Sequence, residues 1–234
     1  MRKFAMICPS RGRPSAAGEL ARAFEETSDP AGVQLVVVID DDDPERAGYA
    51  EALAGGRAML LQTIGRGARG MTRPLNAVAT ALCGPGGAEL IGFVGDDHRP
   101  RTPGWAERFA ETLSGGGPGF VYGNDLLMGE RMPTAVAMTA DVVRTLGYMA
   151  PPELYHLNVD VCWLEWGRAL GRITYLPDVV IEHMHPAAGK AKLDDGYLAV
   201  NSRDMVEVDG AEWARYWHEG GFQRDVEKLR GLIG

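Results

Sequence analysis

Carboxylates and imidazoles gather at a few points of this chain, and the one that combines both in a single turn after a strand is Gly95-Asp96-Asp97-His98. An apolar run of strand length, Leu90 to Val94, ends there in two carboxylates and an imidazole. That pattern reads as a buried strand delivering hard ligands to its carboxyl end, which is where open α/β sheets keep their ligands. Such oxygen donors suit a divalent cation. The alternative is that Asp96 and Asp97 merely start a turn, because Asp is favoured in turns and His98-Arg99-Pro100 leaves the strand at once. A second acid cluster, Asp40-Asp41-Asp42-Asp43, closes the run Val33 to Ile39. Like charges in such a row cannot all be buried, so Asp41 to Asp43 are expected in a solvated turn. Further on, Glu182-His183-Met184-His185-Pro186 follows another apolar run. His183 and His185, two apart on an extended segment, are both candidates to face such a site.

These groups need elements to position them, and the hydrophobic pattern supplies a consistent set. Phe4 to Cys8 reads as a short buried strand, followed by the loop Pro9 to Pro14 and a helix that Ser15 is expected to cap, with Leu20, Ala23 and Phe24 on its apolar face. Val33 to Ile39 is β-branched and nearly continuous, which predicts a central strand covered on both faces. A short helix from Pro44, a strand at Met59 to Thr63 and a helix that Thr72 is expected to cap lead to the strand ending in Asp96 and Asp97. Trp105, Phe109 and Leu113 recur at helical spacing beyond it. Strands alternating with helices predict a Rossmann-like, mostly parallel half. The second half predicts antiparallel or mixed additions at Gly119 to Asn124 and Pro133 to Met138. It then gives a short helix between Thr139 and Gly147, a helix from Asn158 to Leu170, a strand from Ile173 to Ile181 and a helical tail from about Ala211. The tail is expected to cover a sheet edge or a partner, with a homodimer among the options.

Composition narrows the function classes. The 234 residues include 45% hydrophobic and 24% charged residues, which predicts one soluble globular domain without a linker. The apolar run behind Met1-Arg2-Lys3 stops at Pro9, too short for a secretory signal or a span, so a cytoplasmic protein without stable membrane anchoring is expected. Cys8, Cys83 and Cys162 are odd in number and set in apolar contexts, which suggests buried thiols. A formal net charge of −8 disfavours general adhesion to nucleic acid or anionic membrane. A local positive reserve remains in Arg57, Arg66, Arg69 and Arg73, with no acid among them. Gly65-Arg66-Gly67-Ala68-Arg69-Gly70 has the superficial form of a dinucleotide fingerprint, but such a motif belongs in the first strand-to-helix turn, and it is rejected as one.

Taken in order, these motifs resemble the inverting, family-two-like glycosyltransferases with the nucleotide-diphosphosugar (GT-A) fold, over roughly Phe4 to Pro186. The family's Pro-Thr-Tyr-Asn-Arg-like first loop is matched by Pro9, Ser10 and Arg13, with Arg11 and Gly12 in place of Tyr and Asn. Its Asp-Asp-Gly-Ser is matched by Asp40 and Asp41, with Asp42 and Asp43 departing. Its Asp-x-Asp motif resembles Gly95-Asp96-Asp97-His98, and its Glu-Asp motif resembles Val159-Asp160. The Pro-containing strand with a terminal His resembles Leu176-Pro177 to His183.

The resemblance implies a single α/β GT-A-like domain with a mostly parallel or mixed sheet flanked by helices and a helical carboxy-terminal tail. Residues 1–101 would form the nucleotide-sugar half, 102–190 the acceptor half and 191–234 the extension. It implies a nucleotide-diphosphate sugar as donor and transfer to an acceptor hydroxyl with inversion. The acceptor is left open between a small molecule, a glycan and a modified nucleic-acid base. Mn²⁺ or Mg²⁺ would sit on Asp97 and His183, an imidazole tilting the choice toward Mn²⁺; an Asp96 and His98 pairing is the other register. Asp160 would be the general base, or else an acid favouring the positive end of a helix. Pro9, Ser10, Arg11, Arg13, Asp40, Arg66, Arg73 and Asp96 would line the donor nucleotide. Trp163 and Trp166 have two readings, a stacking platform and core. The rivals are a nucleotidyltransferase and a non-catalytic nucleotide or sugar binding module.

Overall fold

The structure is a computed structural model, and it describes residues 3–64, 70–193, 197–198 and 201–233. The strands are β1 (Phe4–Pro9), β2 (Gln34–Asp40), β3 (Met59–Thr63), β4 (Leu90–Phe93), β5 (His98–Pro100), β6 (Phe120–Asn124), β7 (Val136–Thr139) and β8 (Ile173–His183). They form one sheet in the order β3-β2-β1-β4-β7-β6-β8-β5. The first four in that order run parallel, β7 is antiparallel to both β4 and β6, and β8 returns parallel to β6. The expected parallel half with mixed additions is therefore present. The β2 strand is second from the edge rather than central, yet both its faces are covered, because Val36 and Val38 join one core and Leu35, Val37 and Ile39 the other.

The helices are α1 (Pro14–Thr27), α2 (Arg46–Ala52), α3 (Thr72–Leu82), α4 (Trp105–Thr112), α5 (Ala140–Leu146), α6 (Val159–Leu170), α7 (Arg203–His218) and α8 (Gly221–Arg230). Two expected caps are corrected. Pro14 rather than Ser15 opens α1, its fixed φ suiting the first turn, and Thr72 lies inside α3 with its hydroxyl unpartnered among the described residues. One face of the sheet packs on α1 and α4, with Trp105 and Phe109 fully buried. The other packs on α3, α5 and α6, where Trp163 and Trp166 are also fully buried, so these two indoles are core and not a platform.

The tail covers neither a sheet edge nor empty surface: α7 and α8 lie on the α5 and α6 layer, with Tyr216, Phe222, Val226 and Leu229 in the shared core. A polar chain fastens it. The Trp166 indole donates to the Tyr216 hydroxyl at 3.0 Å, and the Tyr216 and Tyr148 hydroxyls donate to Asp225 at 2.7 and 2.6 Å. Desolvation raises both phenol pKa values, and the Asp225 carboxylate raises them further, so both phenols stay protonated. All three cysteines are buried free thiols, as expected. Among the described residues no helix is long and apolar enough to cross a membrane.

Candidate metal and donor site

The β4 strand ends at Phe93, and the turn Val94 to Asp97 closes through the His98 amide donating to the Gly95 carbonyl at 3.0 Å. The chain then enters β5, a three-residue strand that hydropathy does not announce. It is a strand because it pairs antiparallel with the end of β8, setting His98 directly opposite His183. The two rings stack with centroids 4.2 Å apart. The Met184 amide donates to the Asp97 carbonyl at 2.8 Å, tying the acidic turn to the same strand end. Gly95 is required here, since a Cβ would lie 2.6 Å from Asp97 Oδ1 and 2.9 Å from His98 Nδ1.

Asp97 is thereby set between two imidazoles. Its Oδ2 lies 3.2 Å from His183 Nε2, and its Oδ1 lies 3.0 Å from His98 Nδ1. Burial works against the Asp97 carboxylate, but the two histidines outweigh it and hold its pKa well below the usual range. Burial lowers the pKa of His98, and the neighbouring His183 charge adds to this. His183 goes the other way: burial opposes protonation, but Asp125 and Asp97 raise its pKa to about 9. His98 Nε2 is buried with no partner among the described residues, while His98 Nδ1 faces Asp97 and His183 Nδ1 faces Asp125 without hydrogen-bond geometry. Unpartnered buried nitrogens are costly unless something else satisfies them.

One ligand atom from each of Asp97, His98 and His183 lies within 4.8 Å of the others. A carboxylate oxygen and two imidazole nitrogens in such reach fit one divalent ion, with a borderline set that favours Mn²⁺ over Mg²⁺. Asp97 gathers both histidines, whereas Asp96 turns to Ser10 and Arg13. Asp125, unmarked by any motif, stands behind the cluster with its Oδ2 3.8 Å from His183 Nδ1. It is nearly fully buried and accepts from the amides of Leu127, Met128 and Gly129 and from the Thr134 hydroxyl. Although burial opposes ionisation, the partners of Asp125, His183 foremost, lower its pKa. A carboxylate behind a metal-binding imidazole orients the ring.

The donor-side candidates are largely engaged with one another. Ser10, just past Pro9 at the end of β1, donates to Asp96 Oδ2 at 2.6 Å, and Arg13 reaches Asp96 Oδ1 at 3.3 Å. Burial raises the Asp96 pKa to about 6 against these two partners. Asp40 accepts from the Thr63 hydroxyl at 2.7 Å and from Arg73 at 3.2 Å, while Arg11 pairs with the exposed Asp42 at 2.5 Å. Asp43 is not in a solvated turn as expected: it is 1% exposed and accepts from the amides of Gly12 and Glu45 at 2.9 and 2.8 Å. Arg66 and Arg69 lie outside the described residues.

Asp160 occupies the first turn of α6, and burial raises its pKa, against a hydrogen bond from the Val161 amide and the positive field of His183. It is thus within electrostatic reach of the histidine cluster. His185 lies edge-on to His183, with centroids 4.8 Å apart, and its Nδ1 accepts from the Ala187 amide, so it caps the next turn.

No family model and no curated protein matches this chain. Solved structures do. The chain is similar to S. aureus TarS in complex with UDP-GlcNAc (TM-score 0.62, 15% identity, 98% of this chain and 71% of that one). It is also similar to the mannosyltransferase PcManGT from Pyrobaculum calidifontis in complex with GDP-Man and Mn²⁺ (TM-score 0.59, 13% identity, 100% and 86%). A third is glucosyl-3-phosphoglycerate synthase from Mycobacterium tuberculosis in complex with Mg²⁺ and UDP (TM-score 0.58, 13% identity, 90% and 79%). The chain has the single-domain α/β GT-A fold of these structures.

Proposed function

We propose that this protein transfers a sugar from a nucleotide-diphosphate donor to an acceptor hydroxyl, with inversion, using a divalent cation held by Asp97, His98 and His183. The observation that carries the reading is the Asp97 carboxylate set between two stacked imidazoles, with His98 Nε2 unpartnered among the described residues, at the strand ends of this fold. Complexes of similar structures with UDP-GlcNAc, with GDP-Man and Mn²⁺, and with UDP and Mg²⁺ support it. When bound, the cation would neutralise charge on the departing diphosphate. Asp125 keeps His183 oriented, and Gly95 lets the turn close on the ligand atoms.

The protein groups then divide between the halves. In the half spanning 1–101, Asp40 receives the nucleoside while Arg73 and Thr63 hold its carboxylate in place. Asp96 acts from within, fixing Ser10 and Arg13 at the mouth of β1. In the half spanning 102–190, the Asp160 carboxylate accepts the acceptor's hydroxyl proton as that oxygen attacks the anomeric carbon opposite the diphosphate. A carboxylate whose pKa is raised by burial is a better base than an exposed one.

The test is hydrolysis and transfer from a panel of UDP, GDP, CDP and TDP sugars with Mn²⁺, before and after Asp160→Asn. Metal-dependent turnover with at least one donor is expected, falling about 10²- to 10⁴-fold in the variant with Mn²⁺ affinity retained. Turnover by no donor would reduce the molecule to a binding module.

A further inference from the structure

Asp209 sits in the otherwise exposed stretch Val206-Glu207-Val208-Asp209-Gly210 of α7, yet it is 0% exposed. A buried carboxylate must be met by donors, and the donors here come from far along the chain. Its Oδ1 accepts from the Tyr155 amide at 2.7 Å, and its Oδ2 from the His156 and Leu157 amides at 2.8 and 2.5 Å. The Asp209 carbonyl also accepts from the Asn158 side chain at 3.4 Å. These are the last residues before α6, whose second residue is Asp160. Asn158 holds the entry in a left-handed conformation, φ 64°, one that L side chains seldom adopt without support.

The same segment is gripped from the donor side. The Thr72 amide donates to the Tyr155 carbonyl at 3.1 Å, and Gly70, at φ 77°, packs so closely that a Cβ would lie 2.0 Å from that oxygen. Residues 155–158 therefore bridge the tail and the start of α3, which carries Arg73 to Asp40. His156 lies within the electrostatic reach of Asp97 and Arg13, so the segment is near the acidic turn after β4. The tail has its own anchor through Tyr216, Tyr148 and Asp225, independent of the segment.

We propose that Asp209 is a positioning residue: through the three amides it fixes the entry of α6 and hence the aim of Asp160, making the carboxy-terminal helices part of the acceptor side. This rests on the sugar-transfer reading. The carboxylate suits the task because it offers two acceptor oxygens to converging donors, whereas an amide would turn its own N–H groups toward them.

The test combines amide hydrogen exchange with turnover of the donor found above. In the unmutated chain the amides of residues 155–157 should be protected as strongly as those inside α6; exchange at free-chain rates overturns the proposal without any variant. Asp209→Asn, which keeps the volume, should raise exchange at 155–157 about tenfold or more. It should lower kcat by about 10- to 100-fold, while donor KM and Mn²⁺ affinity move less than about twofold. Ser202→Ala, which removes the cap of the same helix, should change none of these. Raised exchange with kcat unchanged overturns the proposal, as does a kcat loss shared equally by Ser202→Ala. An unmutated chain without turnover counts against sugar transfer, and the exchange measurements then decide on the clamp by themselves.

Discussion

Two acid clusters end β2 and β4, the strands on either side of β1, and they differ in how their oxygens are used. At the end of β2, Asp40 is met by Thr63 and Arg73, and Asp43 by the amides of Gly12 and Glu45. At the end of β4, Asp96 is likewise met by Ser10 and Arg13, but Asp97 faces two imidazoles, and Nε2 of His98 has no partner among the described residues. Carboxylates answered by their own chain organise loops. A carboxylate surrounded by unanswered donors and acceptors is prepared for something the chain does not contain. Acid content alone therefore does not mark the site; satisfaction of the surrounding atoms does.

That contrast breaks first at Asp43. Asp43→Ala strands two amides beside a buried position and should cost on the order of 2–3 kcal/mol in thermal or urea unfolding, without altering Mn²⁺ affinity. A loss of Mn²⁺ binding of similar weight to the loss of stability would erase the distinction between the clusters. A smaller effect is expected at Asp96. Its pKa in the fold, about 6, lies above the value of a free carboxyl, so the protonated form is the one the fold favours. The stability it contributes is complete below about pH 4 and lost as pH rises through about 6, leaving a cost on the order of 1–2 kcal/mol at pH 8 in metal-free protein. Asp96→Asn should recover that cost at pH 8 and gain nothing at pH 4.5; equal destabilisation at both would show that the carboxylate is needed in charged form.

Much of this arrangement is readable from the chain, for reasons tied to particular residues. The strands β1 to β4 are apolar runs bounded by Pro, Gly and acid, so local patterning suffices, and Asp97 stands just past one of them, whereas His183 is preferred to His185 only through the family resemblance. The β5 strand is different: His98-Arg99-Pro100 has no strand-like pattern and exists only through its register with β8. The pairing that stacks His98 on His183 is long-range, and no spacing rule reports it. Asp125 and Asp209 escape for the same reason. Each looks like a surface acid in sequence, and each is defined by backbone amides, close by for Asp125 and some 50 positions away for Asp209. Asp43 is misjudged as solvated because charge counting along a run does not reveal that one member folds inward.

The central claim is that Asp97 with His98 and His183 holds a divalent cation, whereas the acids of β2 do not. Mn²⁺ titration of the protein by electron paramagnetic resonance, in the presence of the nucleoside diphosphate that stabilises it most, tests this directly. The account predicts one bound Mn²⁺, with affinity reduced at least about tenfold in Asp97→Asn and in His183→Ala, and unchanged in Asp43→Ala. Equal Mn²⁺ binding in the unmutated protein and Asp97→Asn would contradict it.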